Sequence, residues 1–225
     1  MHIALNFAMS IDGKISDQHK GPVEFVSRSD RKRMDKLRAE YDAIVIGAGT
    51  LRAENPPVKI QSQKLKEMRI DAGKAVHPVA VIMSRTAKVP KEGRFWKDPE
   101  VRRALVTPRH ISDATAALNP MIDKCKVFCI GERSINLPEM CDALHNYYGT
   151  ESMLVEGGGE VNASFLRDNL VDEIWATVCP VIIGGWAGPT PAGGLGFSPD
   201  KFPKFKLVDM ETNDAGEIFL HYLRR

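Results

Sequence analysis

Five short runs constrain this chain more than any other feature. Ala43–Ile46, Val79–Met83, Ala104–Thr107, Val127–Ile130 and Ser152–Val155 are each brief, almost wholly apolar and rich in β-branched residues. A strand with one wet face alternates apolar and polar side chains, whereas a continuous apolar run suits a strand covered on both faces. Such strands belong to parallel sheets, whose connections need helices. The segments between supply them. Ser29–Glu40 carries Met34, Leu37 and then Tyr41 at helical spacing, with Ser27 or Ser29 as cap. Ser112–Leu118 and Pro138–Tyr148 also read as helices, the second closed by Gly149.

Ile3–Ala8 opens as a strand that Ser10-Ile-Asp-Gly13 breaks. Past residue 171 the rhythm changes: Glu173–Cys179, Phe205–Met210 and Glu217–Leu223 follow with no helical pattern between them, and Asn213-Asp-Ala-Gly216 is a turn signal. The expectation is an α/β fold with a mixed, mostly parallel central sheet, helices on both faces and a C-terminal antiparallel hairpin. There is no internal repeat, so residues 1–225 read as a single domain, with polar Lys59–Lys74 as a surface excursion.

Charge narrows the function classes. Lys and Arg number 31 against 29 Asp and Glu, a net charge of +2. No global field therefore draws the chain to nucleic acid or membrane, although a local patch can still hold a phosphate. The N-terminus lacks a basic leader pattern, and no apolar run approaches the ~20 residues of a membrane span. Cys125, Cys129, Cys141 and Cys179 form no CxxC; they read as structural thiols in a reducing, cytoplasmic setting.

Three segments could carry chemistry. Glu156-Gly-Gly-Gly-Glu160 follows an apolar strand and precedes a helical pattern through Val161, Phe165 and Leu166. Glycines let backbone amides approach a ligand, and a helix N-terminus adds partial positive charge, an arrangement suited to a pyrophosphate. A plain strand-to-helix turn is the other reading. Gly47-Ala-Gly-Thr50 also follows a strand; Thr50 can cap a short helix or donate to a phosphate, and Glu54 in its first turn can complement the dipole. Around Asp12-Gly-Lys14, a turn or a set of polar groups converging with Asn6 are both open. The histidines (His2, His19, His77, His110, His145 and His221) are scattered without metal or triad spacing, so no metal is expected. With two glycine turns and no nucleophile motif, the chemistry falls to a cofactor.

Taken in order, these motifs resemble the reductase domain of riboflavin biosynthesis, within the dihydrofolate reductase superfamily. The residues that carry the resemblance are Asn6 with Met9-Ser-Ile-Asp-Gly-Lys14, Leu37-Arg-Ala39, Asp42-Ala-Ile-Val-Ile-Gly-Ala-Gly-Thr50 with Asn55-Pro56, Leu154-Val-Glu-Gly-Gly-Gly159, Leu170-Val-Asp-Glu173, and Pro180 with Ile183-Gly-Gly185. No deaminase segment stands before the match, so the resemblance is to stand-alone reductases. It implies a homodimer in which NADPH reduces the ribosyl group of a phosphoribosylaminopyrimidine to ribityl. Thr50, Glu54, Ser84, Arg85, Gly157, Gly158, Gly159 and Glu160 would hold the cofactor. Asn6, Arg38 and Glu156 would line the substrate, with Lys14, Asp12 and Glu156 at the reacting centre and either Lys14 or a bound water as the proton donor. Arg52, Arg85 and Lys88 are cations available to a 2′-phosphate, which favours NADPH over NADH.

Two departures stand out. The family usually reads Asp-Asp-Pro where this chain has Glu54-Asn55-Pro56, and commonly Leu-Thr-x-Arg where it has Val58-Lys-Ile-Gln61. An Arg fork is not replaced by Gln, and Lys59 is the expected stand-in. These changes keep two alternatives open: a same-fold reductase of another heterocycle (a pterin, folate or secondary-metabolite precursor), and a nucleotide-binding paralogue without turnover.

Overall fold

The computed structural model describes the whole chain except residues 20–23, 113–120 and 122, and divides into two compact units. One comprises residues 35–154 with Met1, the other residues 2–34 and 155–225. The expected mixed α/β architecture is found, with nine strands, most of them parallel, and an antiparallel C-terminal hairpin.

In the first unit the strands lie in the order β5-β4-β3-β2-β6. These are β2 (Ala43–Gly47), β3 (Val79–Met83), β4 (Arg103–Thr107), β5 (Lys126–Cys129) and β6 (Ser152–Val155). The pairs β2–β3, β3–β4 and β4–β5 are parallel. Every residue of β2, β3 and β4 is buried, as the apolar runs require. Each enclosed Val, Ile or Leu contributes roughly 2 kcal/mol of burial. Arg103 is tolerated within β4 because its guanidinium donates to Phe95 O, Val101 O and Asp98 O at 2.7–2.9 Å.

Among the described residues the helices between these strands are α1 (Arg28–Glu40, which begins in the second unit), α2 (Ala48–Glu54), α3 (Gln63–Asp71) and α4 (Leu137–Tyr148), the last ending at Gly149 with φ +72°. The surface excursion expected over Lys59–Lys74 is largely exposed and contains α3, a helix the sequence pattern did not announce. Its anchor is a polar residue. Arg69 is buried and donates to Ala39 O, Tyr41 O and Ala75 O, each at 2.8 Å. An apolar stripe would have revealed the helix in the sequence; a buried guanidinium does not. The expected helix Ser112–Leu118 lies, beyond its first residue, outside the described residues.

The second unit has the strand order β1-β7-β9-β8 and one further helix, α5 (Gly159–Arg167). Strand β1 (His2–Ser10) runs parallel to β7 (Glu173–Cys179), and β9 (Ile218–Arg224) is antiparallel to both β7 and β8 (Phe205–Thr212). The hairpin turn and the start of α1 share one buried carboxylate. Glu217 accepts from Ser27 N (2.6 Å), Ser27 Oγ (2.5 Å) and Asn213 Nδ2 (2.7 Å). Ser27 Oγ in turn accepts from the amides of Ser29 and Asp30, which makes Ser27 the cap of α1.

Burial works against the charge on Glu217, but these donors outweigh it and hold its carboxyl below the ordinary 4.5. A carboxylate depressed by folding stabilises fully above its unfolded value and loses that contribution as pH falls through the folded one. Glu217→Ala should cost about 3 kcal/mol by stranding three donors. The wild type should lose stability below about pH 4.5 by more than Glu217→Gln does. Urea midpoints at neutral and acid pH measure both effects, and equal acid slopes for the two proteins would remove Glu217 from this role.

Candidate functional site

In the second unit, the carboxyl ends of β1 and β7 are joined by two interlocked loops. Ser10 N donates to Lys14 O and Gly13 N to Ser10 O, each at 2.9 Å, closing a tight turn with Gly13 at φ +75°. Asp12 then fastens the opposite loop. Its carboxylate accepts from Ser10 Oγ (2.6 Å), Ile183 N (3.0 Å) and Gly184 N (2.8 Å). The Ser10 hydroxyl and those amides draw its carboxyl down to about 2, so Asp12 is charged at any physiological pH and has no proton to give. The second foot of the loop is tied by Lys14 Nζ to Gly188 O (3.2 Å) and by Ile15 N to Pro189 O (2.9 Å). Between the feet stands Trp186, 96% exposed, a residue the sequence did not single out. Asn6 is half-buried on β1, and its side chain has no hydrogen-bond partner among the described residues.

The glycine turn follows β6. Gly157 has φ +91°, and Gly158 is the N-cap of α5 with no side chain capping the helix. Glu156 is half-buried and Glu160 exposed. Gly159 is needed for close approach: a Cβ there would lie 2.3 Å from Thr190 O, and Gly159 O already accepts from Gly193 N (2.9 Å). Asn162, missed in the sequence, seals this contact. Its buried Nδ2 donates to Pro191 O (2.9 Å), which also fixes the orientation of the amide. Its Oδ1 is then left beside Gly157, buried and unpartnered. The only hint was a polar residue inside an otherwise apolar helical pattern.

The first unit holds the remaining expected residues. Helix α2 starts directly after Gly47, so Thr50 is its third residue and caps nothing. Glu54 is its last residue rather than part of its first turn, and a carboxylate there does not complement the dipole. Both expectations are corrected by a helix that begins earlier than the glycines suggested. Ser84 is buried after β3, with Arg85 exposed beside it. Arg52 donates to Lys88 O (2.8 Å). Arg38 is buried and donates to Lys59 O (3.2 Å), and Asp35 accepts from Gln61 N and Ser62 N (2.7 and 2.8 Å). Lys59, the expected stand-in, has its ammonium paired with Asp98 at 2.6 Å.

One group of metal-ligand type exists among the described residues: His77, Asp98 and Glu100. It does not suit a cation. His77 Nδ1 accepts from Ile60 N (3.2 Å), so the neutral ring carries its proton on Nε2, the nitrogen facing Asp98 at 3.8 Å. Burial keeps that ring neutral, and a protonated nitrogen offers no lone pair. The histidines are less scattered than their spacing implied. His2 and His221 both reach Glu173, at 2.7 and 2.6 Å, and His221 stacks on Trp175. Pairing across strands brings them together. All four cysteines are free thiols; burial pushes Cys125 and Cys141 up to about 11 and Cys179 to about 12, and raises Cys129 as well, which works against the thiolate form.

The model of the RibD C-terminal domain matches residues 1–219. A 2,5-diamino-6-ribosylamino-4(3H)-pyrimidinone 5′-phosphate reductase of Archaeoglobus fulgidus is 34% identical over 87% of this chain and 88% of its own. The protein of the same name from Methanothermobacter thermautotrophicus is 31% identical over 87% and 85%. Among solved structures, a pyrimidine reductase-like protein from Corynebacterium diphtheriae shares the fold with a TM-score of 0.87 at 23% identity, covering all of this chain and 92% of that one. The chain belongs to the RibD C-terminal domain family.

Proposed function

We propose that residues 1–225 act as one reductase domain of riboflavin biosynthesis, using NADPH to convert the ribosyl group of a phosphoribosylaminopyrimidine to ribityl. The observation that carries this reading is the Gly157–Gly159 turn heading α5, in a chain whose relatives are named for that reduction. The residues fit a dinucleotide. Gly158 leaves the helix start without a side-chain cap, which favours a pyrophosphate at the positive end of the dipole. Asn162 Oδ1 is a buried acceptor still lacking a donor beside the turn. Thr50, Glu54, Ser84, Arg85 and Glu160 are assigned to the cofactor by the resemblance, with Arg85 toward the 2′-phosphate.

When bound, the reduced nicotinamide supplies a hydride. The chain's own residues orient and protonate. Lys14 uses one ammonium hydrogen on Gly188 O and has others for a sugar oxygen. Glu156 and Asn6 line the substrate, while Arg38 acts on it through the 59–61 segment that it holds. Asp12 is a positioning residue, since its lone pairs are committed to the loop. Lys59, neutralised by Asp98, favours a second reading in which the same fold reduces a different heterocycle such as a pterin. Free thiols fit a cytoplasmic setting, and a net charge of +2 fits a partner set without nucleic acid. A second copy is proposed over β8, whose Leu207, Val208 and Met210 are exposed on an edge strand.

Titrating NADPH and NADH against tryptophan fluorescence, then adding the phosphoribosylaminopyrimidine while following nicotinamide absorbance, tests the reading. NADPH should quench more tightly than NADH and be oxidised on addition of the pyrimidine. Binding without oxidation moves the search to pterins, and no binding at all overturns the proposal. The two glycine turns should respond differently to alanine. A Cβ at Gly49 meets nothing within 4 Å, so Gly49→Ala should raise stability by about 0.5–1 kcal/mol. Gly159→Ala has to push the Thr190 carbonyl away, so NADPH affinity should fall about tenfold or more, and undiminished affinity would take the turn out of the site. Asp12→Asn turns an NH2 toward backbone donors. It should lower kcat/KM by about tenfold with NADPH affinity kept, and an unchanged kcat/KM would count against the positioning role.

A further inference from the structure

We infer that the chain carries a second small-ligand site, for a nucleotide-type anion, at the carboxyl end of α5. A cavity of about 670 Å³ opens there, walled by residues 196–204, the last turn of α5 and the end of β9. That volume is in the range of small-molecule sites. Arg167, Lys201, Lys204, Arg224 and Arg225 line it, against the side-chain carboxylate of Asp200. Five cations exceed the +2 carried by the whole chain, so positive charge is gathered on this rim and the remainder is slightly acidic. Elsewhere Lys59, Lys74 and Arg109 sit on carboxylates. None of the five rim cations has a side-chain carboxylate within ion-pair distance among the described residues.

Five cations gathered about the single side-chain carboxylate of Asp200 leave a net positive rim, and an anion among them relieves their repulsion. The rim is also ordered in advance. The Arg224 guanidinium is clamped by the carbonyl and side-chain oxygens of Asn169, which takes φ +61°. Lys201 ends a single helical turn begun at Pro199, with its amide on Ser198 O (2.8 Å), and Lys204 O accepts from Arg225 N (3.2 Å). Phe197 and Phe202 belong to the same lining, and Phe202 is 55% exposed. Inorganic phosphate would leave both phenyl rings unused, and an apolar ligand would leave the cations unused. A phosphate joined to a flat ring uses both.

This place is not the glycine turn. Nine residues of α5 separate the two, about 13 Å of helix. Arg224 N donates to Asp172 O (2.8 Å), just before β7 begins, so the cavity lies at the amino ends of β1 and β7 and Lys14 at their carboxyl ends. The helix C-terminus itself disfavours an anion, and Arg167 in the last turn offsets it.

Calorimetric titration of the intact chain with adenosine 5′-monophosphate, adenosine and pyrophosphate tests the site. One molecule of the monophosphate per chain should still bind Gly159→Ala, and adenosine should bind more weakly. Lys201→Ala/Lys204→Ala, which trims only exposed side chains, should lose at least about tenfold in affinity. Unchanged affinity in the lysine variant, loss of binding in Gly159→Ala, or no binding of the monophosphate at all would overturn it. So would tighter binding of a twelve-nucleotide RNA than of the monophosphate, which would mean an extended nucleic-acid surface.

Discussion

Burial of β2, β3 and β4 on both faces is the constraint from which the rest follows. A strand enclosed on both sides can carry almost no polar side chains, because each would need a partner in a dry interior. Every residue of β2 and β3 is accordingly apolar or glycine. Chemistry is thereby displaced to the ends of the strands. At a strand's carboxyl end the chain must leave the sheet and turn, and there Asp12 and Lys14 follow β1 while Glu156 follows β6. The location of the candidate site is a consequence of where polar groups are permitted.

Several of those polar groups serve as loop fasteners. Asp12 takes the amides of Ile183 and Gly184, Asp35 those of Gln61 and Ser62, Asp42 those of Glu151 and Ser152, and Glu217 that of Ser27. A carboxylate offers about four lone-pair sites and can hold two amides at once. Asp12, so engaged, is held charged and is a poor acid. These carboxylates position the backbone rather than react. That is consistent with chemistry supplied by a cofactor and positioning supplied by the protein.

The strands and the hairpin were legible because their signal is local: apolar runs, turn residues and periodicity lie within a few positions of one another. β3, β6 and β7 have the expected bounds, and α4 differs by one residue. What escaped was either polar or distant in sequence. Helix α3 is anchored by Arg69, which no apolar pattern announces. His2 and His221 meet at Glu173 only because β1 and β9 flank β7. The ion pair of Lys59 with Asp98 joins residues 39 positions apart, which no local pattern announces. Asn162 needed the Pro191 carbonyl, 29 residues away, to acquire meaning.

The two glycine turns show how the same local signal can have different causes. Both follow an apolar strand and both precede a helix, and only the run of three glycines favours a ligand at the second. At Gly49 a side chain would enter open space, and nothing in the fold demands a glycine. At Gly159 the missing Cβ is demanded by the backbone of residues 190–193, which hydrogen-bonds to the helix start and is held again by Asn162. The head of α5 and that loop are therefore packed and hydrogen-bonded as one piece. Any ligand held at the helix start is linked through them to Gly188, where Lys14 is tied two residues before Thr190. Close packing of glycine against a carbonyl thus couples the proposed dinucleotide turn to the proposed proton donor, with no side chain reaching from one to the other.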